Sequence, residues 1–160
     1  MDDKALGMYL NDHLGGAMMG CELVDQIASR TEGDLPGDLF AKLAPEIATD
    51  RDTLRDIMDR LDVTANPGKQ ATAWVAEKMS RLKFSGVTSG EPDFGLFMAI
   101  ETLTLGVAGK LALWTVLQDL AVDHPALAAT DLDDLIERAR AQHDALETER
   151  RRVAAVVLGA

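Results

Sequence analysis

Four ionisable residues stand where helical patterns place the interior of the protein: His13, Asp50, Lys110 and His143. Each lies three or four positions from apolar residues that repeat at helical spacing. A buried aspartate needs a cationic or hydrogen-bonding partner, and Lys110 is the candidate partner of Asp50. These residue types together predict a polar layer, which is either a structural salt-bridge network or a functional site.

The heights of these residues along their helices support one layer. With the first long helix rising, the second and third descending and the last rising, all four residues fall at a similar level. The alternative to this polar layer is that the four residues form no cluster. Lys110 then reaches solvent along its aliphatic stem, and Asp50 is half exposed.

Three glutamates form a second candidate set, which is Glu22, Glu46 and Glu101. Paired carboxylates bind divalent cations, although such residues are more often part of a solvated helix face. The alternative hypothesis is therefore a metal-binding or oxidoreductase bundle with unusual carboxylate and histidine ligands. The main hypothesis assigns no metal, cofactor or catalytic residue.

Other metal and nucleophile patterns are missing from the sequence. One cysteine and three histidines give neither a Cys-x-x-Cys nor a His-Glu-x-x-His motif. Cys21 lies on an apolar helical seam, which favours an inert buried thiol. Since a single cysteine forms no intrachain disulfide, we expect a cytoplasmic location.

Four long helices and one shorter helix must position these residues. Apolar residues recur every three or four positions, and no stretch has the alternation of a strand. Thr130 and Asp133 predict a capping box for the last helix. Gly33 predicts the end of the first helix, and the following linker is short. The predicted helices span residues 2–30, 38–61, 67–82, 92–122 and 130–158, and residues 84–93 read as a loop.

Two helical hairpins joined by a long crossover resemble a ferritin-like four-helix bundle. The resemblance rests on helix order across nearly the whole chain, and it implies an all-α fold with a short extra helix in the crossover. Diiron members of that superfamily use Glu-x-x-His on two helices. The residues three positions before His13, His124 and His143 are Leu10, Ala121 and Arg140. The diiron ligands are therefore absent, and the charge of Lys110 would substitute for that of the metal.

Composition limits the partners. The chain has 160 residues, which suits one domain over 1–160, and its formal net charge is −11. This sign argues against nucleic acid and anionic lipid. No signal peptide is evident, and no uncharged apolar run reaches the roughly 18–20 residues of a membrane span. We expect neither nucleic acid nor membrane as a partner.

Two further features leave the function open. Gly16 and Gly20 lie one turn apart inside the first helix. They predict either close packing of another helix or a small-molecule pocket that Trp114 and the pair Met18–Met19 help to line. The apolar tail 153–158 favours packing on the body or contact with a partner. The leading hypothesis is a non-catalytic bundle that acts by association, with a homodimer predicted, and the pocket is an alternative.

Overall fold

Helices make up nearly all of the part of the chain that is described. The structure is a computed structural model, which describes residues 3–31, 35–66 and 94–159. These ranges contain no strand. The helices are α1 (Asp3–Arg30), α2 (Leu35–Arg60), α3 (Phe94–Ala121), α4 (Pro125–Ala128) and α5 (Leu132–Leu158). The all-α prediction is confirmed, whereas the predicted helix 67–82, the loop 84–93 and the stop at Gly33 lie outside the described residues.

Two helix starts differ from the predictions. Helix α2 begins at Leu35, inside the expected linker, so Pro36 stands in its first turn. Proline has no backbone N–H, and this is tolerated there because N–H groups of the first turn have no intrahelical acceptor. The N-cap of α5 is Asp131, whose side chain accepts a hydrogen bond from the backbone N–H of Asp134 at 3.0 Å. The capping box of Thr130 and Asp133 is therefore wrong.

The two residues of the expected capping box have other partners. Thr130 Oγ1 is the acceptor of a short hydrogen bond from Arg60 Nη2. The carboxylate of Asp133 accepts from Gln118 Nε2 at 2.6 Å. Both side chains thus connect α5, or the residue before it, to another helix, and Asp131, which lies between them in the sequence, caps the helix.

Helices α1 and α2 run antiparallel. A Cβ added at Gly7 would lie 3.7 Å from Val63, and one added at Gly20 would lie 3.9 Å from Ile47. The start of α1 is therefore next to the end of α2, and the helices run past each other in opposite directions.

Helices α3 and α5 also run antiparallel. Gln118 near the end of α3 pairs with Asp133 near the start of α5, and Glu101 pairs with Arg150 at 3.1 Å. Helix α1 packs on α2 and α3, while α5 packs on α3 and, over a smaller area, on α2. The four long helices therefore surround a common interior.

That interior contains two hydrophobic clusters at different heights. The lower cluster joins Leu10 of α1 to Leu117 of α3, and the upper cluster joins Ile27 to Phe97. Since the end of α3 packs near the start of α1, these helices are antiparallel as well. Helix α2 thus ends at one end of the protein, and α3 begins at the other. Between the clusters lies a middle level with small and polar residues, which contains the candidate site.

Helix α3 is also the most apolar of the long helices. It is the one helix among residues 3–31, 35–66 and 94–159 that is long and apolar enough to cross a membrane. The central helix of a hydrophobic core has the same composition, and α3 contributes Ile100, Leu103, Leu113 and Trp114 to the interior.

Candidate ligand pocket and polar network

A salt-bridge network lies at the middle level of the interior. Asp50 on α2 is 2% exposed, and its Oδ2 accepts from Lys110 Nζ of α3 at 2.5 Å. Its Oδ1 accepts from Arg138 of α5, with Nη2 at 2.6 Å and Nε at 3.0 Å. One buried carboxylate therefore binds two cations from two other helices.

Gln142 of α5 extends this network. Its Oε1 accepts from Lys110 Nζ at 2.5 Å, and its Nε2 donates to Glu46 Oε2 at 3.0 Å and to Asp50 Oδ2 at 3.4 Å. The side chain of Gln142 is buried, so its amide satisfies groups that would otherwise lack partners in the interior. Arg138 and Gln142 were both missed from the sequence.

The two histidines of the predicted layer lie outside this network. The side chain of His143 is 35% exposed, and its Nδ1 is 3.7 Å from Asp144 Oδ1. The buried stripe of α5 passes through Ala139, Gln142 and Leu146 instead. The sequence predicts a step of four residues from Ala139 to His143, whereas the buried stripe takes a step of three to Gln142. Both steps occur along one helix face, because a turn contains 3.6 residues.

His13 lies beside the network rather than in it. It lines the pocket described below, and its ring packs edge-on against Tyr9 with 4.6 Å between the ring centres. Burial lowers the pKa of His13, and the nearby charge of Asp12 opposes that shift. The imidazole is therefore neutral at pH 7.

Burial also lowers the pKa of Lys110, whose side chain is 14% exposed. The negative charge of Asp50 and the hydrogen bond to it oppose this shift. The ammonium group of Lys110 thus depends on Asp50 for its stabilisation.

The three glutamates of the alternative metal set have separate environments. Glu22 is exposed, Glu46 accepts from Gln142, and Glu101 pairs with Arg150. Within the described ranges, no group of three or more His, Cys, Asp or Glu side chains is placed to hold a metal ion.

A pocket opens between α1 and α3 and reaches α2 behind them. Its volume is about 230 Å³, most of its lining is apolar, and it is open to solvent beside the exposed residues Gly16 and Gly106. Leu23, Ile47, Leu54 and Val107 contribute to its walls, while Asp50 and Lys110 of the network also line it. The pocket therefore occupies the middle level between the two hydrophobic clusters.

Glycines create this space. Among the described residues, no atom lies within 4 Å of a Cβ added at Gly16 or Gly106, and both glycines line the pocket. At Gly16, no described residue makes the close contact that the sequence predicted. Met19 lines the pocket as predicted, whereas Met18 packs against the lower hydrophobic cluster.

Trp114 lines the pocket from α3, one turn after Lys110. The residue is 1% exposed, and its Nε1 is buried without a hydrogen-bond partner in the described part of the protein. A buried N–H without an acceptor costs about 1–3 kcal/mol. The indole N–H of Trp114 is therefore a buried donor that no described residue satisfies.

Cys21 has the environment of a structural thiol. It is buried, and burial raises its pKa, which keeps the thiol protonated at neutral pH. Arg51 Nη1 lies 3.7 Å from the Sγ atom. This geometry agrees with the inert role expected from the sequence.

The site therefore combines an apolar pocket with a buried ion network and one unpaired indole N–H. Comparison of the chain with protein-family models, curated proteins and solved structures gives no match.

Proposed function

We propose that this chain is a non-catalytic helical-bundle protein that binds a small apolar molecule between α1 and α3. The observation that carries the proposal is the apolar pocket of about 230 Å³ at Gly16 and Gly106. A glycine inside a helix costs about 1 kcal/mol relative to alanine. Two such residues beside one apolar pocket support a ligand that binds there.

We also propose that the scaffold is a ferritin-like four-helix bundle. The antiparallel pairs and the placement of α2 and α3 at opposite ends support this topology, as they require a long connection. In this arrangement, the Asp50–Lys110 pair lies at the middle level, where diiron proteins of that superfamily hold metal ions between facing helices. The lysine charge substitutes there for the metal charge.

A titration with 1-octanol, an uncharged apolar molecule, tests whether the pocket binds ligand. We expect saturable chemical-shift changes in the NMR spectrum and a raised melting temperature, because a ligand of the folded state stabilises it. Gly106→Leu should abolish both effects by filling the pocket.

Gly109→Leu is the matched control. Gly109 lies on the same helix, and no described atom lies within 4 Å of a Cβ added there, but it is not part of the pocket lining. This variant should bind 1-octanol as the wild type does. Equal binding by both variants, or no saturable binding by the wild type, would contradict the proposal.

Association of copies is a second candidate function, since α3 has an exposed apolar face. Leu105 and Val116 are 62% and 40% exposed, and Ala112 lies between them on the same side of the helix. The C-terminal tail adds Val156 and Leu158, which are both about 60% exposed, while Val153 packs into the core.

Light scattering tests this second candidate. A homodimer that uses the α3 face should dissociate in the double variant Leu105→Glu/Val116→Glu and remain in Val156→Glu. A wild-type protein that is monomeric at high concentration would rule out association of copies as its function. The cytoplasmic location and the alternative metal-binding hypothesis stay predictions from the sequence.

A further inference from the structure

The charged residues of the pocket lining are already paired. Asp50 binds both Lys110 and Arg138. Arg51 Nη2 lies 2.8 Å from Asp52 Oδ1. An ionic ligand would compete with these pairs for a counter-charge and would lose its own hydration on entry. The lining therefore favours a ligand without a net charge.

The pocket follows α1 and α3 lengthwise. On α1 its lining runs from His13 to Leu23, a length of about 15 Å at 1.5 Å per residue. His13 comes directly before Leu14, which belongs to the lower hydrophobic cluster. Thr102 of α3 comes directly before Leu103, which belongs to the upper cluster. His13 and Thr102 therefore lie toward opposite ends of the pocket.

These dimensions suit a chain better than a compact ring system. A cavity of about 150 Å³ holds benzene, and the pocket has a volume of about 230 Å³ along its length. With C–C bonds of about 1.52 Å and bond angles near 111°, each bond of an extended chain advances about 1.25 Å. A chain of about ten to twelve bonds thus spans the distance from His13 to Leu23.

His13 supplies a polar group at the lower end of the pocket. Its imidazole is neutral, so one ring nitrogen donates a hydrogen bond and the other accepts one. No hydrogen bond or ion pair to a described residue holds this ring, which packs on Tyr9. Neither ring nitrogen is among the fully buried atoms that lack a partner, so both keep accessible surface. In this respect His13 differs from Trp114, whose N–H is enclosed.

Thr102 offers less to a ligand at the upper end. Its hydroxyl group donates to the backbone oxygen of Met98 at 2.8 Å, so it is left with acceptor capacity alone. The imidazole of His13 offers a donor and an acceptor. A ligand hydroxyl both donates and accepts, so it can pair with whichever ring nitrogen faces the pocket.

We propose that the ligand is an unbranched aliphatic alcohol of about ten carbons, whose hydroxyl group is hydrogen-bonded to His13 while its chain runs past Gly16 and Gly106 toward Thr102. This inference rests on the proposed function, which requires only that an apolar molecule binds. It adds the polar group of the ligand, the length of its chain and its orientation between α1 and α3.

Calorimetric titration with 1-octanol and 1-fluorooctane tests the contact with His13. The two probes have the same number of non-hydrogen atoms, and only the alcohol forms strong hydrogen bonds. His13→Phe keeps an aromatic ring but removes both ring nitrogens. We expect it to lower the ratio of the two affinities, alcohol over fluoride, by about fivefold, since one hydrogen bond is lost.

Thr102→Val is the matched control at the other end of the pocket. It removes a hydroxyl group without changing the size of the side chain, and the affinity ratio should stay at the wild-type value. A ratio that falls in Thr102→Val and not in His13→Phe would overturn the orientation. If His13→Phe does not fold, the ¹⁵N signals of the imidazole in the wild-type protein decide. They should move in a saturable way with 1-octanol and stay fixed with 1-fluorooctane.

A series of alcohols from 1-hexanol to 1-dodecanol tests the length of the site. Each buried methylene should raise the affinity about threefold to fourfold. This gain should end at about ten carbons, because further carbons reach solvent beyond the pocket. An affinity that rises evenly through 1-dodecanol, or that stops rising at 1-hexanol, would contradict the elongated site.

The outcomes separate this inference from the proposed function. If neither 1-octanol nor 1-fluorooctane binds saturably, both fall. If 1-fluorooctane binds and 1-octanol does not, the apolar pocket stands and the alcohol class is wrong. An affinity ratio that His13→Phe leaves unchanged would likewise keep the pocket and remove His13 as the partner of the hydroxyl group.

Discussion

Lys110 Nζ lies 2.5 Å from Asp50 Oδ2, which joins α3 to α2 through the interior although 60 positions separate the residues in the chain. Asp50 is 2% exposed and also binds Arg138. Breaking a buried pair by removal of one partner costs about 3–5 kcal/mol, because the remaining charge is uncompensated. We therefore expect Asp50→Asn to lower the free energy of unfolding by about that amount, as measured by urea denaturation.

Glu101→Gln provides the control for this prediction. It breaks the pair between Glu101 and Arg150, whose side chains are 36% and 26% exposed, respectively. The expected loss of unfolding free energy is therefore below about 1 kcal/mol. The loss of stability in Lys110→Met should lie between those of the other two variants, since Arg138 still binds Asp50. Equal losses in Asp50→Asn and Glu101→Gln would show that the network does not stabilise the fold.

Alanine at the pocket glycines should stabilise the protein. Gly16 and Gly106 are helical, and no described atom lies within 4 Å of an added Cβ. Each substitution should raise the free energy of unfolding by up to about 1 kcal/mol through helix propensity. Gly159→Ala should not, because Gly159 has a φ of 70° that disfavours a side chain. Destabilisation by Gly106→Ala would indicate that the space beside it is filled.

The sequence predicted the helices better than the contacts between them. Helical spacing predicted the interior positions of Asp50 and Lys110, because apolar neighbours on both sides define the buried stripe. It failed at His143, since an error of one residue moves a side chain by about 100° around the helix. The neighbouring Gln142 is the buried residue, and no simple pattern marks a glutamine as interior.

The pocket was only partly predictable for a similar reason. The sequence predicts a role for Gly16 and Gly20 because glycine is unfavourable inside a helix, and it offers Trp114 as a bulky residue that could lie beside them. Spacing alone did not tell whether a neighbour would fill the gap, as this depends on the distance between α1 and α3. Arg138 was missed because a long charged side chain on a helix is usually solvated, and only the position of Asp50 on another helix explains its contact.

The burial of His13 should make the protein less stable in mild acid. Since its folded-state pKa is lowered below 6.5, the unfolded chain binds more protons between that lowered pKa and 6.5. The free energy of unfolding should therefore fall as the pH drops through this window. His13→Gln should fall less steeply when both proteins are denatured with urea at a series of pH values.

His143→Gln is the control for the acid effect. It leaves His13 in place, so it should keep the loss of stability in mild acid that the buried imidazole of His13 causes. If His13→Gln and the wild type lose stability in parallel, the buried imidazole is not the source of the acid sensitivity.

The cap of α5 can be assigned by two alanine substitutions. Asp131→Ala removes the acceptor for the backbone N–H of Asp134 and should cost about 1 kcal/mol. Thr130→Ala removes an exposed hydrogen bond with Arg60 and should cost less. Urea denaturation measures the loss of stability in both variants. A larger loss in Thr130→Ala than in Asp131→Ala would indicate that Thr130 is the N-cap.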